Sequence, residues 1–124
     1  MSSLKFYGTW FVSSLALVLV FSGIDYLFHL ISPDWAVPEY YFKNKIIWGF
    51  LWSIPAAYVA LKFSKIWQKP LFFSAVISII LQARYYWEGY PLDFVLIFLG
   101  IHFAILFVLS WGMFKLLDNY RLDK

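Results

Sequence analysis

The chain has 124 residues, of which 63% are hydrophobic and 14% are charged, and its mean hydropathy is +0.73. This balance excludes an ordinary soluble domain, in which about a quarter of the residues are charged. There are no cysteines, which excludes disulfide bonds, thiolate metal sites and thiol redox chemistry. The net charge of +3 does not indicate nucleic-acid binding, because the basic residues cluster beside the ends of apolar runs, as membrane insertion requires.

Four apolar runs divide the chain, and we interpret each of them as a membrane-spanning helix. About 20 apolar residues are needed to cross the hydrocarbon core of a bilayer. The runs cover approximately residues 6–31, 46–61, 71–87 and 92–117. The first run is too long for the apolar part of a signal peptide, which is the competing interpretation. The sequence therefore predicts an all-α, polytopic membrane protein in which residues 1–124 form a single four-helix transmembrane domain.

The connections between the runs indicate the orientation of the protein in the membrane. Residues 35–45 form a polar and aromatic connection between the first two spans. Basic residues favour the cytoplasmic side. With a cytoplasmic N-terminus, seven of them lie inside and three, Lys43, Lys45 and Arg84, lie outside. We therefore expect both termini in the cytoplasm, and a multi-pass protein of the plasma or inner membrane.

An acid and an imidazole lie in the second half of the first predicted span. Asp25 and His29 are four residues apart, so they share one face of a helix. Ionisable groups are costly in hydrocarbon and normally face the interior of a bundle or a wet cavity. The third span has a similar polar face, and we expect the two faces to lie against each other. The faces comprise Ser14, Ser22 and Asp25 in the first span and Ser74, Ser78 and Gln82 in the third.

Depth in the membrane predicts which polar groups meet. At a rise of about 1.5 Å per residue, each span contributes one such group to the outer half of the bilayer. We therefore expect a polar pocket that opens outward and binds a ligand or a proton. Its predicted residues are Asp25, His29, Trp52, Gln82, Arg84, Glu88 and His102.

Simpler structural roles stay open for the same residues. Asp25 and His29 can pair with each other, or with Arg84, only to hold the helices in register. A lone histidine on an apolar face, such as His102, is often a hydrogen-bonded core residue. Arg84 can extend to the membrane interface, as long basic side chains do near the ends of spans.

The second span has a face of small residues that favours close helix packing. Gly49, Ser53, Ala57 and Ala60 recur at spacings of four, four and three. Such a face lets two helix backbones approach closely in lipid. It predicts contact with another helix, either within the chain or in a homo- or hetero-oligomer.

Familiar catalytic and cofactor motifs are absent from the sequence. It contains no His-Glu-x-x-His, no phosphate-binding glycine loop and no Gly-x-Ser-x-Gly. A metal site would have to use Asp25, His29, Glu88 and His102, and a pair at i, i+4 is a weak indication of one. The two histidines differ in predicted depth by roughly 12 Å, which disfavours a haem held by both. We therefore predict no metal and no cofactor, and no catalytic residue can be assigned.

Three functions of different classes are compatible with this pattern. The first is the binding or transport of a hydrophobic or cationic small molecule or a lipid, with Asp25 as the counter-charge. The second is a membrane-embedded enzyme that acts on a lipid or an isoprenoid. The third is a structural or accessory subunit that binds a partner helix through the small-residue face. The bilayer itself is the one partner common to all three.

Overall fold

The protein is an all-α ring of four helices joined by short connections. The computed structural model describes residues 2–119, with side chains from Leu4 onward. The elements are α1 (Ser2–His29), a 3₁₀ turn (Pro33–Trp35), α2 (Tyr40–Ala60), α3 (Gln68–Trp87) and α4 (Leu92–Asp118). The all-α architecture and the number of helices predicted from the sequence are confirmed within this part of the chain.

Each helix packs against the two helices next to it in the ring. Helix α1 contacts α2 and α4, and α3 contacts the same two helices, so α1 and α3 lie diagonally opposite each other. We call the end with the α2–α3 connection the proximal end, and the end with the 3₁₀ turn and the α3–α4 turn the distal end. The face-to-face packing expected between the first and third spans is therefore wrong, because α2 and α4 lie between them.

Helix α2 begins six residues earlier than the sequence indicated. We expected a start near Ile46, whereas the helix begins at Tyr40, after backbone bonds from Tyr41 to Pro38 and from Phe42 to Glu39. The other boundaries differ by at most four residues from those predicted, and the end of α3 and the start of α4 agree with the prediction. The early start matters because it includes Lys45 in a helix instead of a connection.

Two of the described helices are long and apolar enough to cross a membrane. They are Leu4–His29 of α1 and Leu92–Asp118, which is α4. Helices α2 and α3 contain 21 and 20 residues but do not reach the same apolar composition. The structure therefore supports membrane association through two helices, and four spans stay a prediction.

Two tight turns fix the distal end. In the first, the Ser32 side chain accepts a hydrogen bond from the Asp34 amide and caps the 3₁₀ turn. In the second, α3 ends in a Schellman motif, in which the amide of Tyr90 bonds the Tyr85 carbonyl and Gly89 adopts a φ of +89°. Only glycine adopts such a φ without strain, so the turn depends on this residue.

Apolar side chains fill the interior in two clusters, one toward each end of the ring. The larger cluster lies toward the proximal end, and its fully buried members include Ala57, Ala60, Phe73, Phe114 and Leu117. The smaller cluster lies toward the distal end and contains Tyr41, Tyr85, Phe94, Val95 and Phe98. Polar side chains occupy the space between the distal cluster and the middle of the bundle, where the candidate site lies.

Candidate functional site

Three helices converge on the carboxylate of Asp25. The Nζ of Lys45 in α2 donates to Asp25 Oδ2, and the Nε2 of His102 in α4 lies 2.7 Å from Asp25 Oδ1. One turn further along α1, His29 Nε2 lies 3.3 Å from Oδ2. Asp25 and His102 are both 0% exposed, so these groups meet inside the protein and not in an open pocket.

A chain of hydrogen bonds fixes the protons around His102. Gln82 Nε2 donates to the Val95 carbonyl at 2.6 Å, so the amide must present its oxygen to His102 Nδ1, which lies 2.6 Å away. Nδ1 therefore carries a proton and donates it to Gln82. The other ring nitrogen, Nε2, faces an oxygen of Asp25. A further proton must lie between that nitrogen and that oxygen, because neither group can otherwise donate to the other.

His29 is oriented by the 3₁₀ turn that follows α1. Its Nδ1 lies 2.7 Å from the carbonyl oxygen of Trp35 and donates to it. Its Nε2 therefore faces inward, 3.3 Å from the hydroxyl of Tyr85 and 3.4 Å from Nζ of Lys45. The ring also stacks on Phe98, with 4.1 Å between centroids and 3° between planes. These contacts leave the imidazole little freedom to rotate.

A second polar group lies at the distal rim. Arg84 Nε donates to Glu88 Oε2 at 3.0 Å, and Tyr41 donates to Glu88 Oε1. The hydrogen bonds from Tyr41 and Arg84 lower the pKa of the Glu88 carboxyl below its usual range. The stacked rings of Tyr41 and Tyr85, with centroids 5.8 Å apart, separate this rim from the buried group.

The structure divides the residues predicted for one pocket among three places. Asp25, His29, Gln82 and His102 lie in the buried group. Arg84 and Glu88 form the rim pair, as their i, i+4 spacing predicts. Trp52 lies on the outer surface of α2. The serines of α3 do not join the group, because Ser74 and Ser78 donate to carbonyls of their own helix.

Lys45 is the functional residue that sequence reasoning missed. It was assigned to the connection before the second span, because Lys43 and several polar residues surround it. The sequence does contain a pattern from which the burial of Lys45 could have been predicted. Tyr41 and Lys45 extend the small-residue face of Gly49 and Ser53 backward at steps of four, and Tyr41, Lys45 and Ser53 are buried.

An open groove lies between α2 and α3 on the surface next to the buried group. Its cavity measures about 240 Å³. Lys45 and Tyr85 line it and also belong to the buried group. We call it the α2–α3 groove, and its lining residues are Tyr41, Asn44, Lys45, Trp48, Gly49, Trp52, Ile77, Ile80, Leu81, Arg84 and Tyr85.

Comparisons with known proteins found no family model, no curated protein and no solved structure that matches this chain. Two features of the geometry bear on the chemistry that the site could perform. The buried group of Asp25, His29 and His102 brings one donor atom from each residue within 4.8 Å of the others. The groove combines aromatic walls with basic side chains at one end.

Proposed function

We propose that the protein is a four-span membrane protein that binds a lipid-like amphiphile with an anionic head group in the α2–α3 groove. This proposal belongs to the first of the three functions compatible with the sequence, ligand binding. The sequence favoured a hydrophobic or cationic ligand or a lipid, whereas the residues that line the groove favour an anionic one. Three observations support this proposal. Large apolar side chains are exposed on α2 and α3, basic residues line the groove, and the groove has a polar and an apolar end.

The surface of α2 and α3 supports membrane spans for these two helices. Both helices expose large apolar side chains, whereas several of their polar side chains are buried, which is the reverse of a soluble bundle. The buried ammonium of Lys45 is paired with Asp25, which removes most of the cost of placing it at membrane depth. Exposed apolar residues on the two helices include Ile47, Trp48, Leu51, Trp52, Tyr58, Leu71 and Ile79.

The charges in the groove favour an anionic ligand. Its described lining contains two basic residues, Lys45 and Arg84, and no acidic residue. Glu88 engages Arg84 through Nε, and a guanidinium carries four further N–H donors on its two terminal nitrogens. Planar, charged donors of this kind bind carboxylates and phosphates well.

The order of residues along the two helices gives the groove a polar and an apolar end. On α2, Asn44 and Lys45 precede Trp48 and Trp52, so the polar pair lies nearer the distal end. On α3, which runs in the opposite direction, Arg84 lies distal to the isoleucines at 77 and 80. An amphiphile therefore fits with its head group at the distal end and its chain against the tryptophans. Both helices place their polar groove residues toward the distal end although they run in opposite directions. This observation is the main support for the proposal.

A comparison of two amphiphiles of equal chain length tests the proposal. The purified protein is melted in an uncharged detergent with either dodecyl phosphate or dodecyltrimethylammonium. We expect the phosphate alone to raise the melting temperature, because a ligand that binds only the folded state stabilises it. Equal shifts for the two compounds would contradict the proposed ligand class.

Two groove variants and two control variants test whether the rise in melting temperature comes from binding in the α2–α3 groove. Arg84→Gln and Trp52→Ala should each reduce the shift caused by dodecyl phosphate. Lys43→Gln removes an exposed cation from the same helix, and Trp87→Ala removes a ring that is 89% exposed outside the groove. Both control variants should retain the full shift. A shift that survives in the first pair, or disappears in the second, excludes the groove as the site.

A further inference from the structure

The buried group presents the donor set of a metal site. One donor atom each from Asp25, His29 and His102 lies within 4.8 Å of the others, and each histidine directs its Nε2 toward the Asp25 carboxylate. We propose that these three side chains bind a divalent transition metal ion of the zinc and iron class. This site is separate from the ligand proposed for the α2–α3 groove and does not depend on it.

The first support is the way in which both imidazoles are held. His29 donates its Nδ1 proton to the carbonyl of Trp35 at 2.7 Å, and His102 donates its own to the amide oxygen of Gln82 at 2.6 Å. Histidines that bind metals almost always donate the second ring N–H to a carbonyl, a carboxylate or water, which fixes the ring and leaves the other nitrogen for the metal. Both histidines of the chain follow this pattern toward one centre.

The second support is the presence of a cation at that centre. The ammonium of Lys45 donates to Asp25 Oδ2 and lies 3.4 Å from His29 Nε2, so two of the three donor residues already contact a positive charge. A metal ion would replace this ammonium, and it would also release the proton that lies between His102 Nε2 and Asp25 Oδ1. The Lys45 side chain lines the α2–α3 groove, which offers a polar position beside Asn44 into which the displaced ammonium can move.

The donor types narrow the choice of metal. Imidazole nitrogens favour zinc, iron, cobalt, nickel and copper, whereas magnesium and calcium prefer all-oxygen sites. Two histidines and one carboxylate leave at least one coordination position open, as in catalytic zinc sites and non-haem iron sites. The sequence led us to predict no metal, because the i, i+4 pair of Asp25 and His29 is by itself a weak indication of a site. In the structure both histidine side chains contact Asp25.

Zinc binding to the purified protein tests the proposal. The protein is prepared without a histidine tag, stripped with a chelator and dialysed against Zn²⁺, and the bound metal is counted by elemental analysis. We expect one Zn²⁺ per chain, and Co²⁺ should give the visible absorption of a four- or five-coordinate ion. His29→Gln and His102→Gln should each weaken binding by more than about 100-fold, since each removes a ligand and the loss of a ligand's hydrogen-bond partner alone costs about 10–100-fold. Asp93→Asn, which changes an exposed acid at the start of α4, should bind like the parent.

Lys45→Met gives the sharpest result, because it retains all three donors and removes the competing charge. We expect this variant to bind Zn²⁺ about 10-fold more tightly than the parent, as the metal no longer displaces a cation. Its melting temperature without metal should be lower, and Zn²⁺ should restore it. The Lys45→Met result stands even where a histidine variant fails to fold. Absence of stoichiometric zinc in both the parent and Lys45→Met would overturn the proposal, as would unchanged binding in a folded His102→Gln.

Discussion

Asp25 is the residue on which the distal half of the bundle depends. Its two carboxylate oxygens contact groups from α1, α2 and α4, and none of its side chain is exposed. Burying a carboxylate costs several kcal/mol, and the pairing with Lys45 and the hydrogen bond with His102 offset that cost. Removal of either charge of the pair therefore leaves the other without compensation.

We expect Asp25→Asn to lower the free energy of unfolding by about 3–5 kcal/mol, because the Lys45 ammonium would be left buried without a counter-charge. The measurement is denaturant unfolding in detergent, followed by circular dichroism. Asp34→Asn is the matched control, since Asp34 is exposed in the 3₁₀ turn. The double variant Asp25→Asn with Lys45→Met should recover most of the lost stability, and failure to recover would show that the two charges do not act as a pair.

The sequence identified much of this group, for a physical reason. An acid, two histidines and a glutamine inside apolar runs must turn inward, so Asp25, His29, Gln82 and His102 could be assigned to the interior without a structure. Their actual partners could not be assigned in the same way. Depth along straight helices placed the two histidines far apart, yet side chains extend along the helix axis, and both imidazoles reach Asp25.

At the scale of the helix, α2 shows how a boundary error hides a functional residue. The predicted start near Ile46 placed Lys45 in solvent, since lysines beside apolar runs usually lie outside the membrane. In the structure α2 begins at Tyr40, and Lys45 points inward because Asp25 lies opposite it. A tertiary contact of this kind overrides local composition and does not appear in the spacing of α2 alone.

The small-residue face of α2 is packed inside the bundle, as its spacing predicts, and at Gly49 it lies against α1. A Cβ built on Gly49 would lie 3.4 Å from Cγ1 of Val18, and Ala57 and Ala60 are fully buried within the chain. The face is therefore used inside the bundle. An oligomer formed through the same residues stays an untested prediction.

We expect Gly49→Leu to destabilise the protein by about 1–3 kcal/mol, because the larger side chain would force α1 and α2 apart. Gly49→Ala should be tolerated, since its Cβ would make an ordinary contact with Val18. The check is the melting temperature of each purified variant. Gly100→Leu provides the control, because nothing lies within 4 Å of a Cβ at that position. Equal melting temperatures for Gly49→Leu and Gly100→Leu would contradict close packing between α1 and α2.

At the scale of the whole molecule, the distribution of polarity is inverted relative to a soluble bundle. Beside its two apolar clusters, the interior holds a carboxylate, two imidazoles, two ammonium groups, an amide and several serines, whereas many tryptophans and leucines lie on the outside. The burial of Lys45 also sharpens the asymmetry of basic residues. Lys69, which was assigned to the inner side, is buried as well, so two basic residues, Lys43 and Arg84, remain on the outer side against six on the inner side. The proposed arrangement of four membrane spans with cytoplasmic termini would account for both observations.

The alternative is a protein in which only α1 and α4 cross the membrane. These are the two helices whose length and composition suffice for a span by themselves. In that arrangement α2 and α3 would lie on one side of the bilayer. The α1–α2 and α2–α3 connections would then share that side, whereas four spans place them on opposite sides.

Cysteine labelling distinguishes these arrangements directly, because the chain has no cysteine of its own. Single cysteines are introduced at Asp34, Lys65 and Asn119, all of which are exposed, and intact cells are treated with a membrane-impermeant maleimide. We predict labelling at position 34 only, with positions 65 and 119 labelled after the membrane is permeabilised. Labelling of positions 34 and 65 on the same side of the membrane would contradict the four-span bundle.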